Sequence, residues 1–513
     1  MTENDHIMDH SMRPIELDKE STTPLYQQIV EQVKAYLAEG SLHIGDQLPP
    51  GRELAATLGV HRTTVINAYA ELQSEGIIDS HVGRGTFVAA VPETPVSRTP
   101  RPSFTPMVWD SMFVTDPSQD RLHKLIDLQS RKDVISFACA LPSPELFPLE
   151  DIRTCVNRVL RKEGQALLQI GDSFGYDPLR EHLIGGLSHH GIQASMDEVL
   201  ITNGCQQSLD LIRKILVQPG DTVLIENPTY PGALNVFSTR DVRCIGIPVG
   251  AEGIDLAALE HVLVHNQPKL LYTIPTFHNP TGSTLDLAGR RRLLQLASLY
   301  RVPVVEDDIY GELRYEGSPL PSLKALDDRG IVIYLNSVSK IGFPGMRVGW
   351  VVAHRAVIDR LRIARQSQDF HTNLISQAAL CELSSSGLLT RHLKRVRKVY
   401  AERRNRLLSA LERYFPEGTR WSRPAGGMNV WITLPRSIHA SSILSEAAQL
   451  GVLFTPGEMF YGNSPQLNTM RLPFSMLDSA RMEEGVKRIA RVLKKHMSQT
   501  PAGPEPEKRA VLV

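Results

Sequence analysis

Residues 331–350 read IVIYLNSVSKIGFPGMRVGW, and the reading of this stretch decides the fold. Its first five residues are apolar without alternation, as in a strand buried on both faces of a parallel sheet. A polar, glycine-bearing loop around Lys340 follows. Working outward, the same pairing recurs: VLI (199–201) precedes TNGCQQ, TVLIE (222–226) precedes NPTYPG, LLYTI (270–274) precedes PTFHNPTG, and VPVVE (302–306) precedes DDIYG. Helical stretches separate the runs, so the pattern predicts an α/β fold with a mainly parallel sheet and helices on both faces. Ligands of such sheets bind outside the carboxyl ends of the strands, which makes the residues after each run the candidate site.

One ligand could use all five strand ends. Lys340, in a serine-flanked loop, can form a Schiff base with an aldehyde once its neighbours lower its pKa. A pyridoxal-type cofactor also needs a carboxylate for its ring nitrogen, and Asp307 is the candidate. Tyr310 and Asn279 are placed to bond the phenolic oxygen, and Tyr230 offers a ring to stack on. For the phosphate there are the backbone amides of Gly204, Cys205 and Gln206 at a helix N-terminus, the hydroxyls of Ser337 and Ser339, and the guanidinium fork of Arg347. Taken singly, a lysine is a solvated charge, an aspartate after a strand is a cap and NPTG is a turn. Their occurrence together, in one order at successive strand ends, favours the functional reading.

The chain has 513 residues, too many for one small fold, and its 56 basic residues balance 56 acidic ones. Bulk charge therefore does not make it a polyanion binder, and any nucleic-acid contact has to be local. Five cysteines, Cys139, Cys155, Cys205, Cys244 and Cys381, show no CxxC pairing, which argues against a disulfide scaffold or metal site and for a reducing cytosol. Without an apolar leader or a membrane-length apolar run, a cytoplasmic protein is expected.

The first 90 residues carry a different pattern. Leu25, Ile29, Val33, Tyr36 and Leu37 recur at helical spacing, Glu53 to Leu58 forms a short helix ended by Gly59, and a third helix spans His61 to Glu75. Val65, Tyr69 and Leu72 make the apolar face of that third helix, leaving Arg62, Thr63, Thr64 and Asn67 outward, as on a recognition helix. Two short strands, 77–79 and 86–88, are joined through HVGRG, which projects Arg84 as a wing. The opposing reading is a protein-interaction domain, because residues 1–90 hold six basic against thirteen acidic residues. DNA binding then rests on the placement of Arg52, Arg62 and Arg84. Five prolines between Ala90 and Pro106 mark a linker, a short helix is expected around 119–128, and the polar last stretch reads as a tail. The divisions are 1–90, 91–132, 133–497 and 498–513.

The segment LPPGRELAATLGVHRTTVINAYAELQSEGIIDSHVGRGTFV resembles the GntR-family winged helix. The resemblance implies contacts to double-stranded DNA from Arg52, Arg62, Thr63, Thr64, Gly83, Arg84, Gly85 and Thr86. NPTG, DxxY and SxSK, with Arg347 seven residues after Lys340, are similar to those of fold-type I pyridoxal 5'-phosphate (PLP) enzymes of the class I aminotransferase group. That resemblance implies a second, smaller α+β subdomain, a PLP linkage at Lys340, ring-nitrogen pairing at Asp307 and a substrate-carboxylate grip at Arg471 in MRLPFS. Ile170 in IGDSFGYDPLR stands where the family has a tyrosine reaching the neighbouring subunit's cofactor phosphate, and Tyr176 lies six residues out of register. The two modules joined resemble the MocR subgroup of transcriptional regulators. This implies a homodimer that binds an operator and senses PLP or an amine or amino acid effector; the alternative is a working aminotransferase.

Overall fold

The computed structural model describes residues 14–81, 84–90, 134–238 and 241–499. The linker 91–132, the helix expected at 119–128, the wing residue Gly83 and all but two residues of the tail lie outside the described residues. The chain divides into two compact units, 1–114 and 115–513.

In the first unit three helices, α1 (Leu25–Ala38), α2 (Gly51–Leu58) and α3 (Arg62–Ser74), pack with three short strands, β1 (Gln47–Leu48), β2 (Ile78–His81) and β3 (Gly85–Val88). Pro24 and Pro50 stand at the N-caps of α1 and α2, and Gly59 ends α2 with φ 60°, a left-handed conformation that glycine adopts without steric cost. The α2 helix starts two residues before the expected Glu53. The sheet order is β1-β3-β2, antiparallel throughout. Strand β1 has too few residues to be read from sequence. Val65, Ala68 and Leu72 of α3 are fully buried against Ile29 and Val33 of α1, so one face of α3 forms the core and the other faces outward.

The second unit begins with Ile135–Phe137 (β4). Its larger sheet takes Val199–Thr202 (β5), Thr222–Asn227 (β6), Arg243–Gly250 (β7), Gly253–Ile254 (β8), Leu270–Thr273 (β9), Val304–Asp307 (β10), Val332–Ser337 (β11) and Gly349–Val352 (β12) in the order β5-β12-β11-β10-β9-β6-β7-β8. Strands β11, β10, β9, β6 and β7 are parallel, β12 is antiparallel to β11 and β5, and β8 folds back on β7. Two reversals return β5 to the common direction, so all five apolar runs end at one edge. Both faces are covered: Val223 and Ile225 of β6 enter one apolar cluster, Leu224 the other. The smaller sheet, Arg420–Trp421 (β13), Asn429–Thr433 (β14), Val452–Pro456 (β15) and Thr469–Pro473 (β16), has the order β13-β14-β16-β15-β4. Its parallel β15–β4 pair ties the start of the unit to its end. The last helix, Ser479–Gln499, runs two residues past the expected boundary at 497. No helix among the described residues is long and apolar enough to cross a membrane.

Candidate functional site

The common edge of the large sheet collects the chemistry. Lys340, three residues past β11, donates from Nζ to the Ala140 carbonyl at 2.7 Å. Desolvation and the neighbouring Arg471 cation lower its pKa to about 8, partly opposed by Asp307. Asp307, the last residue of β10, accepts from the Tyr272 hydroxyl at 2.9 Å. Burial raises its pKa to about 6, against the pull of Tyr272 and Lys340. A carboxylate at the sheet edge and an amine that deprotonates readily are thus held in one field.

Tyr310 is buried beside Arg471 and Asp307, and desolvation raises its pKa to about 12. Tyr230 is half-buried, its hydroxyl 3.2 Å from Gln206 Oε1, and desolvation raises its pKa as well. Asn279 Oδ1 accepts from Arg471 Nη1 at 3.1 Å, leaving its two amide hydrogens for another acceptor. Arg471 also donates to Ala138 O at 2.6 Å and lies 4.8 Å above the Phe460 ring, while its Nε is buried without a partner among the described residues. Such an orphaned donor on a buried cation is a costly feature that a carboxylate ligand would satisfy.

At the end of β5, Gly204 caps the helix Cys205–Leu216 with φ 92° and no side-chain cap. A Cβ there would stand 3.0 Å from Arg347 Nη2, which donates to Asn203 O at 2.6 Å. The helix N-terminus and this guanidinium suit an anion such as a phosphate. The two serines of the lysine loop are engaged with each other: Ser337 Oγ lies 2.8 Å from Ser339 Oγ and donates to Val348 O at 3.1 Å. Ser337 therefore braces the loop as it stands, and Ser339 would have to turn its hydroxyl to serve a phosphate. Ile170 is 82% exposed, and the Tyr176 hydroxyl is turned onto Glu163 at 2.8 Å, so Tyr176 does not stand in for the missing tyrosine within this chain.

Sequence reasoning overlooked Tyr272, Asn203, the backbone of 138–140 and Thr455, whose Oγ1 accepts from Arg471 Nη2 at 3.3 Å. Tyr272 left a signal, a hydroxyl inside the apolar run LLYTI, and Asn203 stood in the strand end TNGCQQ without being given a role. The residues present fit PLP: an amine, a carboxylate for the ring nitrogen, a ring to stack on, and an anion-binding turn.

In the first unit Arg52 and Arg62 open α2 and α3, and Arg84 precedes β3; all three are exposed, and among the described residues their guanidiniums carry neither ion pair nor hydrogen bond. Lys34, by contrast, is paired with Glu75. Thr63 Oγ1 lies 2.8 Å from His61 Nδ1, Thr64 is half-buried, and Thr86 Oγ1 meets Ser80 Oγ at 3.0 Å across the wing strands. Gly85 has φ 110° beside Gln47, whose amide bonds Arg84 O at 3.3 Å.

Residues 140–489 match the family described as aminotransferase class I and II, and residues 25–88 match the bacterial regulatory proteins of the gntR family. The chain belongs to the aminotransferase class I and II family. Its aminotransferase-family module has PLP as the cofactor of its fold and is fused to a gntR-type helix-turn-helix. LysN of Thermus thermophilus, an α-aminoadipate aminotransferase solved with N-(5'-phosphopyridoxyl)-L-leucine, is 39% identical; it covers 76% of this chain and 100% of its own, with a TM-score of 0.70. Two regulators match both modules. The HTH-type transcriptional regulator YdfD of Bacillus subtilis is 32% identical over 93% of this chain and 98% of its own. The probable rhizopine catabolism regulatory protein MocR of Rhizobium meliloti is 28% identical over 92% of this chain and 94% of its own.

Proposed function

We propose that this chain is a PLP-dependent DNA-binding transcriptional regulator of the MocR type. The observation that carries the reading is the coexistence, in one chain, of three exposed arginines on a winged helix, which have no partner among the described residues, and a Lys340–Asp307–Arg471 constellation in which Asp307 and Arg471 are buried and Lys340 is half-buried. In this reading Lys340 holds the cofactor covalently, Asp307 pairs with its ring nitrogen, and the Gly204–Gln206 turn with Arg347 receives its phosphate. Tyr310 and Asn279 address the phenolic oxygen, and Tyr230 stacks on the ring. The bound cofactor supplies an aldehyde carbon that primary amines can exchange onto. Arg471 then selects, among amines, those bearing a carboxylate, because a planar guanidinium grips it with two bonds. Arg52, Arg62, Thr63, Thr64 and the wing around Arg84 contact an operator. The regulator acts in the cytoplasm as a homodimer, so that two winged helices meet two half-sites. Occupancy of the Lys340 site shifts the populations of two dimer arrangements with different DNA affinity.

A second reading has a specific observation behind it. The Lys340, Asp307 and Arg471 set is intact, so turnover of an amino acid with a 2-oxo acid is the competing activity. Ile170, in place of the tyrosine expected by resemblance, weighs against efficient turnover. A third case makes PLP itself the signal, with no amine required. Measuring DNA retention of apo, PLP-loaded and amino-acid-treated protein separates the three: regulation by amine changes retention only after treatment, PLP sensing changes it on loading, and an enzyme without DNA function changes it in neither step.

A further inference from the structure

Asp369 follows the helix Arg355–Gln366 and touches none of the groups assigned above to the cofactor. Its Oδ2 accepts from Asn203 Nδ2 and, at 2.7 Å, from Gln207 Nε2; its Oδ1 accepts from Arg365 Nε at 2.8 Å. Asn203 and Gln207 are the residues on either side of Gly204–Cys205–Gln206. They are also tied to each other, since Asn203 N donates to Gln207 Oε1 at 2.8 Å. We propose that Asp369 is a positioning residue whose carboxylate clamps both ends of this turn and fixes the amides that receive the cofactor phosphate. The proposal rests on the reading of that turn as the phosphate site.

Three features support it. Arg365 is 0% exposed and donates onward to Ile201 O at the end of β5 and to Thr372 Oγ1 at 2.8 Å, so the carboxylate is charge-compensated and anchored to the sheet. Phe370, the next residue, is 62% exposed at φ 60°, a conformation that side-chain-bearing residues rarely take. Its ring gains nothing from burial, so the contacts of Asp369 and His371 on either side hold the backbone there; His371 N donates to Asp369 O at 2.6 Å. Lastly, a bare carboxylate near a phosphate would repel it. A clamp that acts through geometry and one that acts through charge therefore predict opposite outcomes for the neutral isostere.

Full-length protein is titrated with PLP and, in parallel, with pyridoxal, which lacks the phosphate, following absorbance. Asp369→Asn cannot accept from all three donors and is expected to lower PLP affinity about tenfold, the low end of the loss seen when residues that orient metal ligands are changed. Pyridoxal affinity should be unchanged. Asn203→Ala removes the other end of one contact and should lose a similar factor; the double variant should lose less than the product of the two. If Asp369→Asn does not fold, as judged by thermal unfolding, Asn203→Ala carries the test alone. Equal losses for PLP and pyridoxal, unchanged PLP affinity, or tighter PLP binding by Asp369→Asn each overturn the proposal. A wild-type protein that fails to prefer PLP over pyridoxal overturns instead the phosphate-site reading beneath it.

Discussion

The winged helix and the cofactor site use charge in opposite ways. On the winged helix the groups proposed to meet DNA are exposed arginines without partners among the described residues, standing on a segment whose formal charge is negative. At the cofactor site Asp307, Tyr310 and Arg471 are buried with Lys340 half-buried among them, and desolvation moves Lys340 down to about 8 and Asp307 up to about 6. In the proposed reading the first region works through exposed side-chain placement and should tolerate exchange of the surrounding surface. The second works through mutual desolvation, so removing one member disturbs the rest.

The largest effect separating the regions is expected for Lys340→Ala. Covalent cofactor attachment should vanish, read as loss of the borohydride-fixed adduct by mass spectrometry, while the winged helix keeps its fold. Asp307→Ala comes next, because it strips a buried partner from the site; PLP affinity should fall roughly hundredfold by absorbance titration. Replacing Arg62 by Ala should cost about 1–3 kcal/mol of operator binding in fluorescence anisotropy, and replacing Arg52 should lower the salt slope by about one if it contacts a phosphate. Neither should alter the cofactor spectrum. The smallest effect is in pH. Attachment needs the neutral amine, and a group with pKa about 8 is largely protonated at pH 7 and largely neutral at pH 9. The stopped-flow rate should therefore rise about tenfold between those values, with a midpoint near 8 rather than at the ordinary lysine value.

These contrasts track what the sequence made legible. Strands buried on both faces read as unbroken apolar runs, so β5, β6, β9, β10 and β11 and the polar residues behind them were visible. Strand β7, RCIGIPVG, is broken by glycine and proline, and β12 follows directly on the Lys340 loop; neither stands out. The smaller sheet drew its expectation from resemblance, because β4 pairs with β15 some three hundred residues away and no local pattern records that. Asp369 was invisible for the same reason: its partner Asn203 is 166 positions distant. That Arg52, Arg62 and Arg84 have no partner among the described residues, as against the pairing of Lys34 with Glu75, also needed three dimensions. It bears on the acidic balance of residues 1–90, because among the described residues no acid is paired with an arginine proposed to meet DNA.

The central claim is that occupancy of the Lys340 site changes DNA binding by the same chain. Its most direct test is the affinity of full-length protein for the DNA upstream of its own gene, measured by fluorescence anisotropy with the apo form, the PLP-loaded form and the PLP-loaded form with each of a panel of α-amino acids. Affinity is expected to change on loading or on addition of an amino acid in the wild type, and in neither case in Lys340→Ala. Identical affinity in all three states of the wild type would contradict it.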